Sequence, residues 1–317
     1  MKRRPLGRTG INIAPLVLGT NVFGWTIDEA TSFAILDAFV DAGFDAIDTA
    51  DVYSRWVSGN TGGESETIIG RWLKRDPSKR ARVHIFTKVG GDMGSPERKG
   101  LGKRWVLEEV ENSLRRLQVD TIDLYQSHFP DPGTPDEETL SAYAELIRDG
   151  KIRTIGASNY SAEQLRDSLR VSDERDLPRY QTLQPKYNLH DRFEYEGDVR
   201  DLAIHEGLGV IPYYGLASGF LSGKYRSEAD LSKSARGGGI AKYLDARGMR
   251  ILAALDQVAS AHSAKPAEVA LAWLMQREGV TAPIASATSR EQLASLVHAA
   301  QLALTSEDVV ALDAASK

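Results

Sequence analysis

The sequence predicts a closed (β/α)8 barrel, and three observations carry that expectation. Apolar runs of strand length alternate with segments of helical period, the pattern of parallel βα units. No G-x-G-x-x-G follows the first apolar run, where an open dinucleotide-binding sheet would need it. Polar residues of chemically useful kinds come directly after the apolar runs, which is where a barrel of this type places its active site.

The opening stretch from Pro5 to Ala14 reads as a hairpin that turns near Arg8-Thr9-Gly10. Eight strands are then expected at 16–18, 46–47, 83–87, 121–125, 152–155, 182–184, 210–212 and 281–284. Helices are expected at 29–42, 63–74, 103–117, 139–149, 162–169, 197–206, 267–276 and 290–299. Two more, at about 248–262 and 306–314, lie outside the alternation, with Thr305 as N-cap of the last. Eight strands in an open sheet would leave two unprotected edges, which closure removes. One long connection runs from Tyr225 to Arg247 and carries Gly237-Gly238-Gly239 with several charges, so it is expected to have a functional role. No repeat or linker divides the chain. Residues 1–317 are expected to form one domain, with the hairpin over 1–15 and the long loop over 225–247.

Apolar residues at 42% and charged residues at 26% supply both a core and a solvated surface. A net charge of -5 argues against a nucleic-acid partner, since phosphate binding needs clustered cations with little acid nearby, and Lys2-Arg3-Arg4 is too short to change that. No apolar run approaches the roughly 18 residues of a membrane span, and none follows the N-terminal charges as in a signal peptide. A cytoplasmic chain is expected. Without cysteine there are no disulfides, thiolate metal sites or thiol nucleophile, so any redox chemistry falls to a bound cofactor. Nothing in the composition indicates an oligomeric state.

The polar strand-end residues form a consistent set. Asp48-Thr49-Ala50-Asp51 and then Tyr53 follow the second strand, Lys88 ends the third, Gln126-Ser127-His128 the fourth and Ser158-Asn159 the fifth. Gln184, Tyr213-Tyr214, Ser286 and Thr288 complete the ring. A phenol is a poor acid at neutral pH, with an ordinary pKa of about 10. A nearby ammonium favours the phenolate, so Lys88 is expected to make Tyr53 more acidic, with Asp48 holding Lys88 charged and aimed. His128 can donate a hydrogen bond to the same substrate oxygen. Together the four suit protonation of an oxyanion. Taken singly, each has a plainer account: an internal ion pair for Asp48 and Lys88, a core or rim position for His128, surface packing for Tyr53. Trp25, Tyr53, Trp56, Phe129, Tyr214 and Tyr243 can form an aromatic substrate pocket, or equally a packed rim.

At this point the chain resembles the aldo-keto reductases. The shared segments are Leu6-Gly7-Arg8-Thr9-Gly10, Ile47-Asp48-Thr49-Ala50-Asp51-Val52-Tyr53, Thr87-Lys88-Val89-Gly90 and Asp123-Leu124-Tyr125-Gln126-Ser127-His128. They continue through Gly150-Lys151-Ile152-Arg153, Ile155-Gly156-Ala157-Ser158-Asn159-Tyr160, Gln184-Pro185-Lys186-Tyr187-Asn188 and Gly219-Phe220-Leu221-Ser222-Gly223-Lys224-Tyr225, with Ala270-Leu271-Ala272-Trp273 and Glu291-Gln292-Leu293 near the end. The ordered series is more specific than any one piece.

The resemblance implies a (β/α)8 barrel that binds NADPH or NADH, and a catalytic tetrad of Asp48, Tyr53, Lys88 and His128. It implies that Ser158, Asn159 and Gln184 hold the nicotinamide carboxamide and that Tyr213 stacks on the ring. Gly19 and Thr20 would meet the cofactor at the end of the first strand. Leu216, Ser218, Gly219, Leu221 and Lys224 would line its pyrophosphate. Apart from the resemblance, Lys224 and Arg236 are cations flanking flexible glycines, so the long loop is expected to close over the cofactor with both approaching the pyrophosphate. Ser286, Thr288, Arg290 and Gln292 would contact the adenosine end. The sequence departs from many relatives there, with Ser286 for glycine, Arg290 for proline and Leu296 for an adenine-contacting asparagine. Arg290 with the hydroxyls of Thr288 and Ser289 suits a 2′-phosphate, so NADPH is expected, although Arg290 can equally be a solvated first-turn residue.

The expected activity is reversible reduction of aldehydes or ketones to alcohols, with a small-molecule carbonyl or alcohol as partner. The alternative is a cofactor-binding regulatory protein similar to potassium-channel β subunits, against which stands the lack of a long extension before the hairpin. A metal-dependent aldolase or hydrolase on the same barrel lacks a ligand cluster, because the six histidines form no H-x-x-x-H or similar pair.

Overall fold

The computed structural model describes residues 2–233 and 237–317. A small antiparallel hairpin pairs β1 (Arg4–Pro5) with β2 (Asn12–Ile13). The eight barrel strands follow as β3 (Val17–Gly19), β4 (Ala46–Asp48), β5 (His84–Val89), β6 (Ile122–Ser127), β7 (Ile152–Ser158), β8 (Thr182–Gln184), β9 (Gly209–Val210) and β10 (Ile284–Ala285). All neighbouring pairs are parallel, in the order β10-β3-β4-β5-β6-β7-β8-β9. The Thr281 and Ile284 amides donate to Val210 and Pro212 at 2.8 Å each, which closes the ring between β9 and β10. The expected (β/α)8 barrel is the observed fold.

Ten helices cover the barrel: α1 (Glu29–Asp41), α2 (Glu64–Arg75), α3 (Lys103–Leu117), α4 (Asp136–Arg148), α5 (Ala162–Arg175), α6 (Asp198–His205), α7 (Ala246–Ala261), α8 (Pro266–Met275), α9 (Arg290–Ala299) and α10 (Ser306–Ala315). Capping chemistry sets several starts. Asp28 accepts from the Thr31 amide, Ser161 and Gln164 form a reciprocal capping box, and so do Thr305 and Asp308. α4 begins three residues before the expected start, because Asp136, Glu137 and Glu138 suit the positive end of a helix. β9 is shorter than expected because Pro212 has no N–H to extend the ladder. The long connection is not open loop throughout. It holds 3-10 turns at Glu228–Lys233, Gly237–Gly239 and Ala241–Tyr243, and α7 already begins at Ala246.

The strands are so short that each residue's side of the wall matters. Val17, Ala46, Phe86, Leu124, Ile211, Ala282 and Ile284 form one apolar cluster with Leu6, Ile11 and Ile13 of the hairpin. The residues adjacent to these along the strands, Leu18, Ile47, Ile85 and Tyr125, belong instead to the larger core between strands and helices. Side chains of a strand alternate between its two faces, so the small cluster is the barrel interior and the hairpin plugs its N-terminal end. Charges seal that end. Arg3 pairs with buried Asp45, and buried Asp123 accepts from the Ile85 amide at 2.8 Å and pairs with Arg80 at 2.9 Å and Arg153 at 3.3 Å.

A second buried charge group lies outside the strands. Arg116 of α3 bonds Glu66 of α2 at 2.6 Å and also Glu109, and Glu66 accepts from Thr87 of β5 at 2.6 Å. Asp51 sits beside them with Oδ1 on the Val52 amide and Oδ2 without a partner among the described residues. Burial, reinforced by Glu109 and Glu66, pushes its carboxyl well above the usual range, which favours the protonated form.

Two stability predictions follow from these carboxyls. Despite burial, the bonds from His84 and the Ile85 amide, with Arg80 and Arg153, hold Asp123 below the ordinary value. Its contribution is therefore present above the unfolded pKa of about 3.9 and lost as pH falls through the folded one. Asp123→Ala should cost about 3 kcal/mol by urea unfolding at pH 7 and progressively less under acid. Asp51 has the opposite sign: above about pH 3.9 the unfolded chain releases a proton that the folded chain keeps, so rising pH costs stability. Asp51→Asn should raise the melting temperature at pH 7 and lose that advantage near pH 4; destabilisation at pH 7 would show the carboxyl to be ionised.

Candidate active site

Continuing the alternation two residues beyond each interior position leads to the C-terminal mouth. Ala46 gives Asp48, Phe86 gives Lys88, Leu124 gives Gln126 and then His128, and Ile211 gives Tyr213. The same step gives Gly19, Ser158, Gln184 and Ser286. Residues distant in sequence thus meet because they share one phase of one wall.

At the centre, Lys88 Nζ donates to Asp48 Oδ2 at 2.6 Å, to the Thr49 carbonyl at 2.8 Å and to the Tyr53 hydroxyl at 3.1 Å. Its three protons are all engaged. Asp48 Oδ1 accepts from Gln184 Nε2 at 2.9 Å and from Gln126 Nε2 at 3.2 Å. Below it, the Thr20 amide and hydroxyl both donate to the Asp48 carbonyl. Tyr53 reaches this pair from the loop after β4, which is pinned where the Ser54 hydroxyl donates to the Phe23 carbonyl at 2.6 Å and Asn60 donates to Ser54 and Gly24 carbonyls.

The electrostatics differ in one respect from the sequence expectation. Burial raises the Tyr53 pKa above its ordinary value, and the pull of Lys88 in the other direction does not overcome it. The hydroxyl is therefore a fully protonated phenol at neutral pH rather than one made acidic in advance. Burial also works against the Lys88 ammonium, but Asp48 and Tyr53 outweigh it and leave its pKa raised. Burial, then Lys88, lowers His128 well below the ordinary range, so the imidazole is neutral. Its Nδ1 is buried without a partner among the described residues, and its ring meets Tyr53 edge-on at 6.2 Å.

The amide-bearing residues form a connected chain beside this centre. Tyr213 donates to Asn159 Oδ1 at 2.7 Å, Asn159 Nδ2 donates to the His128 carbonyl at 2.9 Å, and Ser158 donates to the Gln184 carbonyl at 2.9 Å. Asn159 adopts φ 64°, a left-handed conformation that asparagine tolerates better than most residues. After β9 the chain turns through Ala217, Ser218 and Gly219, all with positive φ. Leu216, Ser218 and Gly219 are part-exposed there, Lys224 is exposed nearby, and Leu221 is fully buried beneath them. Gly19 has no room for a side chain, since a Cβ would stand 2.8 Å from Ile284 Cγ2 and 3.0 Å from Ser286 Oγ.

Other expected residues are placed less centrally. The Ser286 hydroxyl donates to Asn21 at 2.8 Å, Thr288 just before α9 donates to Gln292 in its first turn, and Arg290 is exposed. Arg236 lies outside the described residues. Trp25, Trp56 and Tyr53 make a run of edge contacts at 5.5 Å and 6.1 Å, and Phe129 stacks on His128 at 4.5 Å. Tyr214 is half exposed beside Tyr213. Tyr243 is not part of this rim: it is buried, stacks on Phe220 at 5.4 Å and donates to Asp191 at 2.8 Å. The sequence reading noted Gln126 at a strand end but assigned it no role; its offset of two from interior Leu124 is the signal that would have placed it. Among the described residues no helix is long and apolar enough to cross a membrane.

Comparison with known proteins agrees with this architecture. The model of the aldo/keto reductase family matches residues 15–317. The uncharacterized oxidoreductase YrpG of Bacillus subtilis (strain 168) is 35% identical over 309 residues, covering 95% of this chain and 92% of that protein. Protein tas of Escherichia coli (strain K12) is 32% identical over 335 residues, covering 98% and 96%. A probable voltage-gated potassium channel subunit beta of Oryza sativa subsp. japonica is 32% identical over 299 residues, covering 92% and 89%. With the family model spanning nearly the whole chain and an eight-stranded parallel barrel beneath it, the chain belongs to the aldo/keto reductase family of oxidoreductases.

Proposed function

We propose that the chain reduces aldehydes and ketones to alcohols, reversibly, with NADPH as cofactor and Tyr53 as proton donor; NADH is accommodated by the same groups. The observation that carries this reading is the single ammonium of Lys88 bonded at once to Asp48 and to the Tyr53 hydroxyl. The residues around it fit a nicotinamide cofactor. Gln184 engages its Nε2 within the protein and leaves Oε1 as an acceptor, matching a carboxamide N–H. Tyr213 is part-exposed and held by Asn159, a platform for a planar ring. The left-handed turn at Ala217, Ser218 and Gly219 brings backbone close beside Lys224, which suits a pyrophosphate. Arg290 at the N-terminus of α9 suits a 2′-phosphate.

Bound there, the cofactor would supply hydride to the carbonyl carbon. The protein then handles the oxygen. Tyr53, protonated at rest, gives its proton as negative charge develops, and Lys88 stabilises the phenolate left behind. Neutral His128 contributes a hydrogen bond to the same oxygen. Asp48 keeps Lys88 charged and in place. Trp25, Trp56, Phe129 and Tyr214 around the mouth favour a partly apolar or ring-bearing carbonyl compound. The similarity to a potassium-channel subunit leaves a cofactor-binding regulatory protein as the second reading, and turnover of a generic aldehyde separates the two.

Tyr53→Phe should keep cofactor affinity by fluorescence titration yet cut carbonyl reduction by at least about 10²-fold. Lys88→Met should do similar damage, Asp48→Asn less, and the Tyr53→Phe/Lys88→Met pair should be little worse than either single change. A Tyr53→Phe protein with most of its reductase activity would return Tyr53 to rim packing. Tyr213→Ala should weaken cofactor binding and slow turnover, and unchanged values would remove Tyr213 from the site. Because the Tyr53 pKa is raised, reduction should be flat through neutral pH, where the phenol is present, while alcohol oxidation, which needs phenolate as base, should keep rising into the alkaline range.

A further inference from the structure

We infer that Gln126 is a positioning residue: it locks the rotation of the Asp48 carboxylate and the orientation of the Gln184 amide together. This rests on the reading of Tyr53 as the proton donor. An ionised carboxylate only accepts hydrogen bonds, so both amide nitrogens must face Asp48 Oδ1, as they do at 2.9 Å from Gln184 and 3.2 Å from Gln126. Gln126 Oε1 can then meet only a donor, and the donor is the second N–H of Gln184 at 3.1 Å. The triangle closes with one arrangement of hydrogens. It leaves Oδ2 of Asp48 for Lys88 and Oε1 of Gln184 for the cofactor.

The Gln126 side chain is closely enclosed. Asp48, Gln126 and Gln184 are 1%, 0% and 2% exposed, so water cannot replace a lost amide. Gly156 on β7 faces Gln126, and a Cβ there would stand 2.1 Å from Thr182 Oγ1 and 3.2 Å from Gln126 Cγ. The charged and titratable groups around it are Asp48 on β4, Tyr53 from the following loop, Lys88 on β5 and His128 at the end of β6. β7 and β8 contribute Gly156, Ser158, Thr182 and Gln184, none of which titrates.

Without the Gln126 amide, Asp48 carries less compensated charge and Gln184 loses the acceptor that holds its orientation. Gln126→Leu, similar in volume, should lower kcat about 10–100-fold, the range for losing a hydrogen bond to a charged group. In the cofactor-free protein, the Tyr53 phenolate absorbance, taken as the difference from Tyr53→Phe, should titrate at higher pH than in the parent. Gln126→Glu gives a sharper signature. While that carboxyl keeps its proton it donates to Asp48 and turnover stays near the parent value; once it ionises, two carboxylates face each other and turnover falls. A new descending limb in kcat against pH, absent from the parent, is expected.

The three proteins would be assayed with NADPH and a generic aldehyde beside Tyr53→Phe, with melting curves and NADPH fluorescence titrations as folding controls. If Tyr53→Phe is inactive while Gln126→Leu keeps the parent kcat and phenol titration, the positioning role is wrong and the proton-donor reading stands. If Tyr53→Phe stays active, the proton-donor reading itself fails. Should Gln126→Leu not fold, Gln126→Glu decides: the descending limb supports the lock, and a parent-like profile overturns it.

Discussion

A lysine ammonium and an aspartate carboxylate, each 1% exposed at the side chain, lie in contact at the mouth of this barrel. Removing two charges from water is costly, and their attraction compensates only when their remaining bonding capacity is filled. Here it is filled from several directions. The Thr49 carbonyl and Tyr53 hydroxyl complete Lys88, two amides complete Asp48 Oδ1, and Thr20 holds the backbone beneath. These groups come from β4, β5, β6 and β8, from the residue just after β3 and from the loop after β4. The pair is therefore stable only in a closed wall, and closure is what turns five separate strands into one site.

The same wall explains the sequence of environments along the barrel axis. The hairpin and the charged groups around Asp45 and Asp123 close the N-terminal end, an apolar layer fills the middle, and polar side chains occupy the mouth. One period of two residues separates the apolar layer from the polar one, so a strand of three residues such as β4, with Ala46 in one and Asp48 in the other, is long enough to contribute to both. Function sits at the end that the plug leaves open.

Backbone strain gathers at that end as well. Among the described non-glycine residues with positive φ, Gln118, Asp176 and Ser263 lie at or just past helix ends, whereas Ser54, Asn159, Tyr214, Ala217 and Ser218 lie in loops after strands. Such conformations cost free energy and persist where packing over-determines them. Ser54 and Asn159 show how, each tied by side-chain bonds to a neighbouring loop.

The sequence by itself determined the alternation of strands and helices, the helix starts at Asp28, Ser161 and Thr305, and the strand-end positions of Asp48, Lys88, His128 and Gln184, because periodicity, capping and strand ends are local properties. Its ordered motifs also marked the family. Other properties were not local. The raised pKa of Tyr53 depends on how completely neighbouring strands exclude water, which no residue spacing encodes. Tyr243 left the aromatic rim because Phe220 and Asp191 give its ring and hydroxyl a buried place. Gln126 acquired a partner 78 residues away only when β4 and β6 curved to face each other across the interior. Burial and cross-barrel contact belong to the closed wall, so only the tertiary structure decided them.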